Sequence, residues 1–353
     1  MFNKVPVSAG DMYSMILSAS IRALKLNTFM DNFDADRFNI DGKDHSEEFN
    51  SASNAFYFDW LFKNYKKLYA AFESLGNDDS KILYLYLTAY RLAGHFSVKI
   101  PVNFSNDSDE YLKFKDIEKG VDSPIALNGA LKGVRHFDYI YNGSRYIVDC
   151  MGLEYYLFRK QYYYSVGGVK IQPMEGDFVI DGGACLGDSA LVFSNSVGAD
   201  GKIYAFDPVS DHIDVINYNI QQFPYKNVQV MPFGLSDKNV FCEPIVINQY
   251  APGFRAAELL VPLRTIDYLL GIGAIERVDF IKMDIEGSEL EALTGAHEAI
   301  VKYKPRLAIS LYHKPDDIFS IVLQINDKYP FYKMYIDHYT IHQEETVLYC
   351  VAI

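Results

Sequence analysis

The residues most able to do chemistry fall into three clusters. The first is the turn Asp181-Gly182-Gly183-Ala184-Cys185-Leu186-Gly187, with Asp188 and Ser189 just after it. It follows a buried-strand pattern and leads into an amphipathic segment. Glycines there permit positive φ and close backbone approach. The helix that follows offers free amides, with Asp188 and Ser189 as its caps. The second cluster is Asp207-Pro208, about 20 residues on, where an acid ending the next strand can accept both hydroxyls of a ribose. The third is Asp284, Glu286 and Gly287 in "KMDIEGSELEAL". Two carboxylates at a strand end can orient an ammonium, hold a cation or take a proton. Glu289 and Glu291 read as the solvated first turn of a helix.

Two histidines are candidate general bases, since imidazole titrates near neutral pH. His313 in "LYHKP" follows a strand on the ligand side and is preferred to His338 in "IDHYT". The other six, at 45, 95, 136, 212, 297 and 342, read as loop or core residues. The aromatic run "YYLFRKQYYYSVGG" precedes the first strand and could wall a cofactor or acceptor, with Tyr164 the candidate for cofactor contact.

Two ligand classes suit the glycine turn. Gly182-x-Ala184-x-x-Gly187 is a near miss to the dinucleotide pattern GxGxxG. Asp181 would repel a pyrophosphate but favour the ammonium and sulfonium of S-adenosylmethionine. S-adenosylmethionine is therefore the expected cofactor. A divalent cation held by Asp284 and His313 is conceivable but not expected.

Elements that position these residues are legible in the hydrophobic pattern. Residues from about 1 to 105 read as a helical domain, for packing, dimerisation or acceptor recognition. "FDYIYNGSRYIVDC" reads as a hairpin turning at Asn142-Gly143, and "LEYYLFRKQYYY" as a short helix, both within a connecting region, 106–175. From residue 176 to 353, strands "FVID", "KIYAFD", "VQVMPFG", "VDFIKMD" and "RLAISLY" alternate with helices expected at 188–197, 210–222, 288–303 and 316–329. Two β-rich runs end the chain without an intervening helix. The expected class is α/β, a doubly wound parallel sheet with an antiparallel ending. A hairpin-like insertion is expected from Asp237 to Val261.

Composition bounds the partners. The chain has 353 residues, 49% apolar and 22% charged, with net charge −13. Nucleic acid is disfavoured as a partner by that charge. Cysteines 150, 185, 242 and 350 form no CxxC pair, so a reducing, cytoplasmic setting is expected. No signal peptide and no run of about 18 apolar residues is read. A homodimer through the N-terminal helices is a further expectation.

Together "VIDGGACLGDSALVF", "IYAFDP", "GLSD", "VDFIKMDIEGSELEALTGA", "ISLYHKPDD" and "YIDHYTIHQEETVLY" resemble the FkbM family of class I S-adenosylmethionine-dependent methyltransferases. The resemblance spans about half the chain. It implies a Rossmann-like sheet of seven strands, the last reversed, and transfer of a methyl group to a hydroxyl of a sugar or glycosylated metabolite. It places Gly234, Leu235 and Ser236 beside the adenine. It places Asp284, Glu286 and Gly287 near the methionine end. Cys185 departs from relatives, which commonly carry asparagine or glycine there. A nicotinamide-dependent oxidoreductase and a non-catalytic binding protein are the alternative readings.

Overall fold

Short apolar runs separated by helices bury both faces of a parallel sheet; six strands here run parallel and a seventh, with no helix before it, runs antiparallel. The computed structural model describes residues 1–26, 28–38, 44, 46, 55–105, 108–127, 133–247 and 257–353. The main sheet comprises β1 (Phe178–Gly182), β2 (Lys202–Phe206), β3 (Val228–Met231), β4 (Phe280–Met283), β5 (Arg306–Ser310), β6 (Tyr332–His338) and β7 (Thr346–Ala352). Their order is β6-β7-β5-β4-β1-β2-β3. β7 runs antiparallel to both neighbours, and the other strands are mutually parallel. Strands are added outward in opposite senses from β1 and from β4, so the strand order switches between these two. A crevice opens at such a switch point, beyond the carboxyl ends of the strands.

Each face of the sheet has its own cover. Helices Ala9–Leu26, Phe56–Glu73 and Asp78–Ala93 lie on one side. Their Met12, Ile16, Phe72 and Leu85 join Ile180, Ile281, Ile309 and Leu348 in one apolar core. Trp60 Nε1 donates to Asp316 Oδ1 at 2.7 Å, tying the second of these helices to the loop after β5. On the other face, Phe137, Val148, Tyr162 and Ile171 pack with Val179, Ala190, Ile203 and Val347. The adjacent residues Val179 and Ile180 thus serve opposite cores, as strand alternation requires. The hairpin Arg135–Tyr141/Ser144–Cys150 belongs to this second face and turns at Asn142-Gly143. Among the described residues no helix is long and apolar enough to cross a membrane.

Three elements differ from the sequence pattern. The helix expected over 288–303 is two helices, Glu289–Thr294 and His297–Tyr303. The break is at Gly295, where a Cβ would lie 2.0 Å from Ser236 O. "LEYYLFRKQYYY" is helical only over Glu154–Leu157, because Lys160 and Tyr162 take positive φ. Tyr164–Val166 then pairs with Val169–Ile171 in a small hairpin. "VQVMPFG" divides after Met231, and Gly234–Leu235 pairs instead with Leu263–Arg264. The insertion hairpin is Val240–Ile247 with Ala257–Arg264. Its expected tip lies outside the described residues.

Candidate active site

The register of β4 against β1 sets Lys282 beside Asp181. Cross-strand neighbours share a face, so the two side chains meet. Lys282 Nζ is 3.2 Å from Asp181 Oδ1 and donates to Gly183 O at 2.8 Å. Ser189 Oγ donates to Asp181 Oδ2 at 2.7 Å. Both charged groups are buried. Asp181, expected from its position to face the ligand, turns its carboxylate to Lys282 and Ser189. Its charge is balanced by Lys282, and the pair anchors the glycine turn from behind. Gly183 packs against the end of β4 at φ +76, where a Cβ would lie 1.9 Å from Asp284 O. Only glycine fits that approach.

In front of the turn is a cavity of about 150 Å³. Gly183 and Cys185 line it with Asp207 and Pro208, while Phe233, Leu235, Leu263 and Ile285 give an apolar slot. Gly234 keeps the slot open, since a Cβ there would meet Leu263 at 2.6 Å. Asp207 accepts from Cys185 N at 3.0 Å and Val209 N at 2.9 Å, and pairs with His212 Nδ1 at 3.1 Å. A carboxylate has about four acceptor positions, so capacity remains for a ribose hydroxyl. An apolar slot beside a fixed carboxylate fits an adenosine. Cys185 is held at φ +49, a region that asparagine and glycine enter more readily, which explains why those residues suit the position.

Beyond Asp207 the acids gather around His313. Asp284 accepts from Tyr162 Oη at 2.9 Å and Tyr312 Oη at 2.8 Å. His313 Nε2 lies 3.3 Å from Asp284 Oδ1, and its Nδ1 2.9 Å from Glu289 Oε1. Burial works against ionisation of Asp284, yet His313, Lys282 and Tyr312 hold its carboxyl well below the usual range. Burial also opposes charge on His313, but Glu289 and Asp284 raise its pKa well above the ordinary imidazole value. His313 lies between two carboxylates that favour its protonated form, and is poorly placed to take a proton. Glu289 is fully buried, not the solvated first-turn residue its spacing suggested.

Glu286 differs from these paired groups. It sits at φ +56 at the mouth of the cavity, exposed to solvent. Such a conformation costs a non-glycine residue on the order of 1–3 kcal/mol and is typical of functional sites. Desolvation by the surrounding protein pushes its carboxyl upward; His313 opposes this, Asp284, Glu289 and Glu345 add to it, and the exposure of the side chain lets solvent screen much of the shift.

Other sequence candidates fall around this centre or away from it. Gly182, Ala184 and Gly187 form the frame of the turn; Gly187 is the left-handed cap of helix Asp188–Val197. Asp188 faces a second cavity. Gly287 continues the Glu286 turn at φ +92. Ser236 turns aside, donating from its hydroxyl to Asp237. His338 is buried at the end of β6, two strands from β5, bonded to Thr346 Oγ1 at 2.9 Å and His342 O at 2.7 Å. Those bonds hold it within the terminal hairpin, not at the crevice. Tyr164 packs between Tyr335 and Tyr349. Tyr162, two residues earlier, is the tyrosine of that run that reaches Asp284. Sequence reasoning missed Lys282, Tyr162, His212 and Tyr312. A lysine inside "VDFIKMD" was the one visible signal, because a buried strand rarely carries an unpaired cation.

Residues 181–339 match the family model described as Methyltransferase FkbM domain. Hexuronic acid methyltransferase AglP of Haloferax volcanii is 28% identical over 130 residues, 36% of this chain and 52% of that protein. The chain thus spans about half the length of this curated relative. The crystal structure of Methyltransferase FkbM from Methylobacillus flagellatus KT is similar at TM-score 0.52 and 20% identity, covering 82% of this chain and 59% of that one. That likeness shows a shared fold.

Proposed function

We propose that this chain, whose residues 181–339 match the FkbM methyltransferase domain, uses S-adenosylmethionine to methylate a hydroxyl group of a saccharide, with Glu286 as the general base. When bound, the donor supplies an electrophilic methyl carbon on a sulfonium. The residues that would hold it are Asp207 at the ribose, the slot of Phe233, Leu235 and Ile285 at the adenine, and Asp284 toward the ammonium. The protein's own work is alignment and proton removal. A sugar hydroxyl is a weak acid, so a base with a pKa near the working pH is the effective one. Glu286, its carboxyl pushed upward by crowding at the cavity wall and by Asp284, Glu289 and Glu345, is the acid best placed for that role. His313, whose protonated form Glu289 and Asp284 favour, does not suit it; it orients Asp284 and stabilises the acids around it.

The observation that carries this reading is Glu286 itself, a carboxylate kept in a strained turn at the crevice mouth. The hexuronic acid named for the Haloferax relative supports a sugar acceptor; because that sugar carries a carboxylate, it speaks for the sugar ring and not for the charge of the acceptor. Incubation with labelled S-adenosylmethionine and fractionated cell glycans, followed by mass spectrometry of methylated sugars, tests it. Label on a nitrogen or carbon instead of a hydroxyl oxygen would rule out O-methylation.

A further inference from the structure

A second cavity, of about 550 Å³, adjoins the first and shares Asp284 with it. Its walls come mostly from outside residues 181–339. They are the end of helix Asp109–Ile117 and the loop after it, the first hairpin, and the short helix Glu154–Leu157. Among the described residues none from the three N-terminal helices lines it.

The lining chemistry restricts what can enter. Lys115, Lys119 and Arg135 stand at this cavity, but each already has a carboxylate partner. Lys115 pairs with Glu154 at 3.3 Å, Lys119 with Asp116 at 2.8 Å and Arg135 with Asp122 at 2.9 Å. The carboxylates of Glu118 and Asp188 are held by neutral donors, Leu153 N at 2.5 Å and Ser189 N at 3.0 Å. Asp284, paired with His313, stands at the inner end. An incoming anion would meet these acids at short range, in a site where charges are weakly screened. Hydroxyl groups would instead donate to them. Tyr156 offers an aromatic wall, kept in place by stacking on Tyr162 at a centroid distance of 6.0 Å and 26°. Aromatic faces and acceptor carboxylates together suit a sugar ring.

We propose that this cavity is the acceptor site, and that it takes a neutral polyhydroxylated acceptor, a saccharide without carboxylate or phosphate. This rests on the methyltransferase reading above. Burial supports it independently, raising the carboxyls of Asp188 to about 6 and Glu118 to about 7.

The test uses the full chain, labelled S-adenosylmethionine, and cell glycans separated by anion exchange into neutral and acidic fractions. Binding of S-adenosylhomocysteine is measured calorimetrically on the same preparation. Label at least tenfold greater in the neutral fraction is the expected result. Methionine 151, an exposed lining residue, provides the second arm. Met151→Trp should fill the cavity mouth and lower labelling at least tenfold, with S-adenosylhomocysteine affinity unchanged within twofold. If the homologue binds but label goes mainly to acidic glycans, or to neither fraction, the acceptor proposal is overturned. Undiminished labelling by Met151→Trp overturns the location. Failure to bind the homologue at all strikes instead at the methyltransferase reading.

Discussion

Replacing Lys282 by methionine should destabilise the protein by about 3–5 kcal/mol, the usual cost of removing one partner from a buried ion pair. The structure gives the reasons. Lys282 and Asp181 are both buried, 3.2 Å apart. The ammonium also bonds Gly183 O and lies near Asp284. Methionine retains the packing volume but leaves Asp181 as an uncompensated buried charge. Urea denaturation of Lys282→Met, Asp181→Asn and the double variant forms a thermodynamic cycle. The double variant, lacking both charges, should recover most of the loss. A single variant within about 1 kcal/mol of the parent, or a double variant as unstable as the sum of the singles, would refute the pairing argument.

Three further outcomes follow from the same geometry. Glu286→Gln should lower kcat by about 10²–10⁴-fold with little change in S-adenosylhomocysteine affinity; the parent's rate should rise with pH through the raised pKa of Glu286, a limb the variant should lack. His313, with its pKa raised by Glu289 and Asp284, contributes stability that is full below the unfolded value of about 6.5 and is lost as pH climbs through the folded value. The stability gap between the parent and His313→Gln, followed by urea midpoints, should therefore narrow in alkali. Gly183→Ala should abolish cofactor binding in calorimetry, since its Cβ would sit 1.9 Å from Asp284 O.

Periodicity made the sheet legible because buried parallel strands are near-continuous apolar runs, and β1, β4 and β5 are such runs. Helix Asp188–Val197 matched its pattern to the residue. Places where the pattern misled are those decided by tertiary contact. Gly295 interrupts a helix because Ser236 approaches it, and Tyr162 leaves the helical region to reach Asp284. In the site, the acids were visible as motif residues, but their partners were not. Asp181 was read from its position at the strand tip as a ligand contact. Only the β1–β4 register shows that Lys282 neutralises it. The separate fates of Glu286 and His313 likewise depend on neighbours distant in sequence, above all the buried Glu289.

The central claim is that the crevice at the ends of β1, β2 and β4 holds the methyl donor through Asp207. Titration calorimetry of the full chain with S-adenosylhomocysteine, with NADH as the comparison, tests it most directly. One-to-one binding of the homologue is expected, weakened about 10- to 100-fold in Asp207→Ala by loss of charge-assisted hydrogen bonds worth about 1.5–3 kcal/mol, with no NADH binding. Tight NADH binding with none of the homologue, or full affinity in Asp207→Ala, would contradict it.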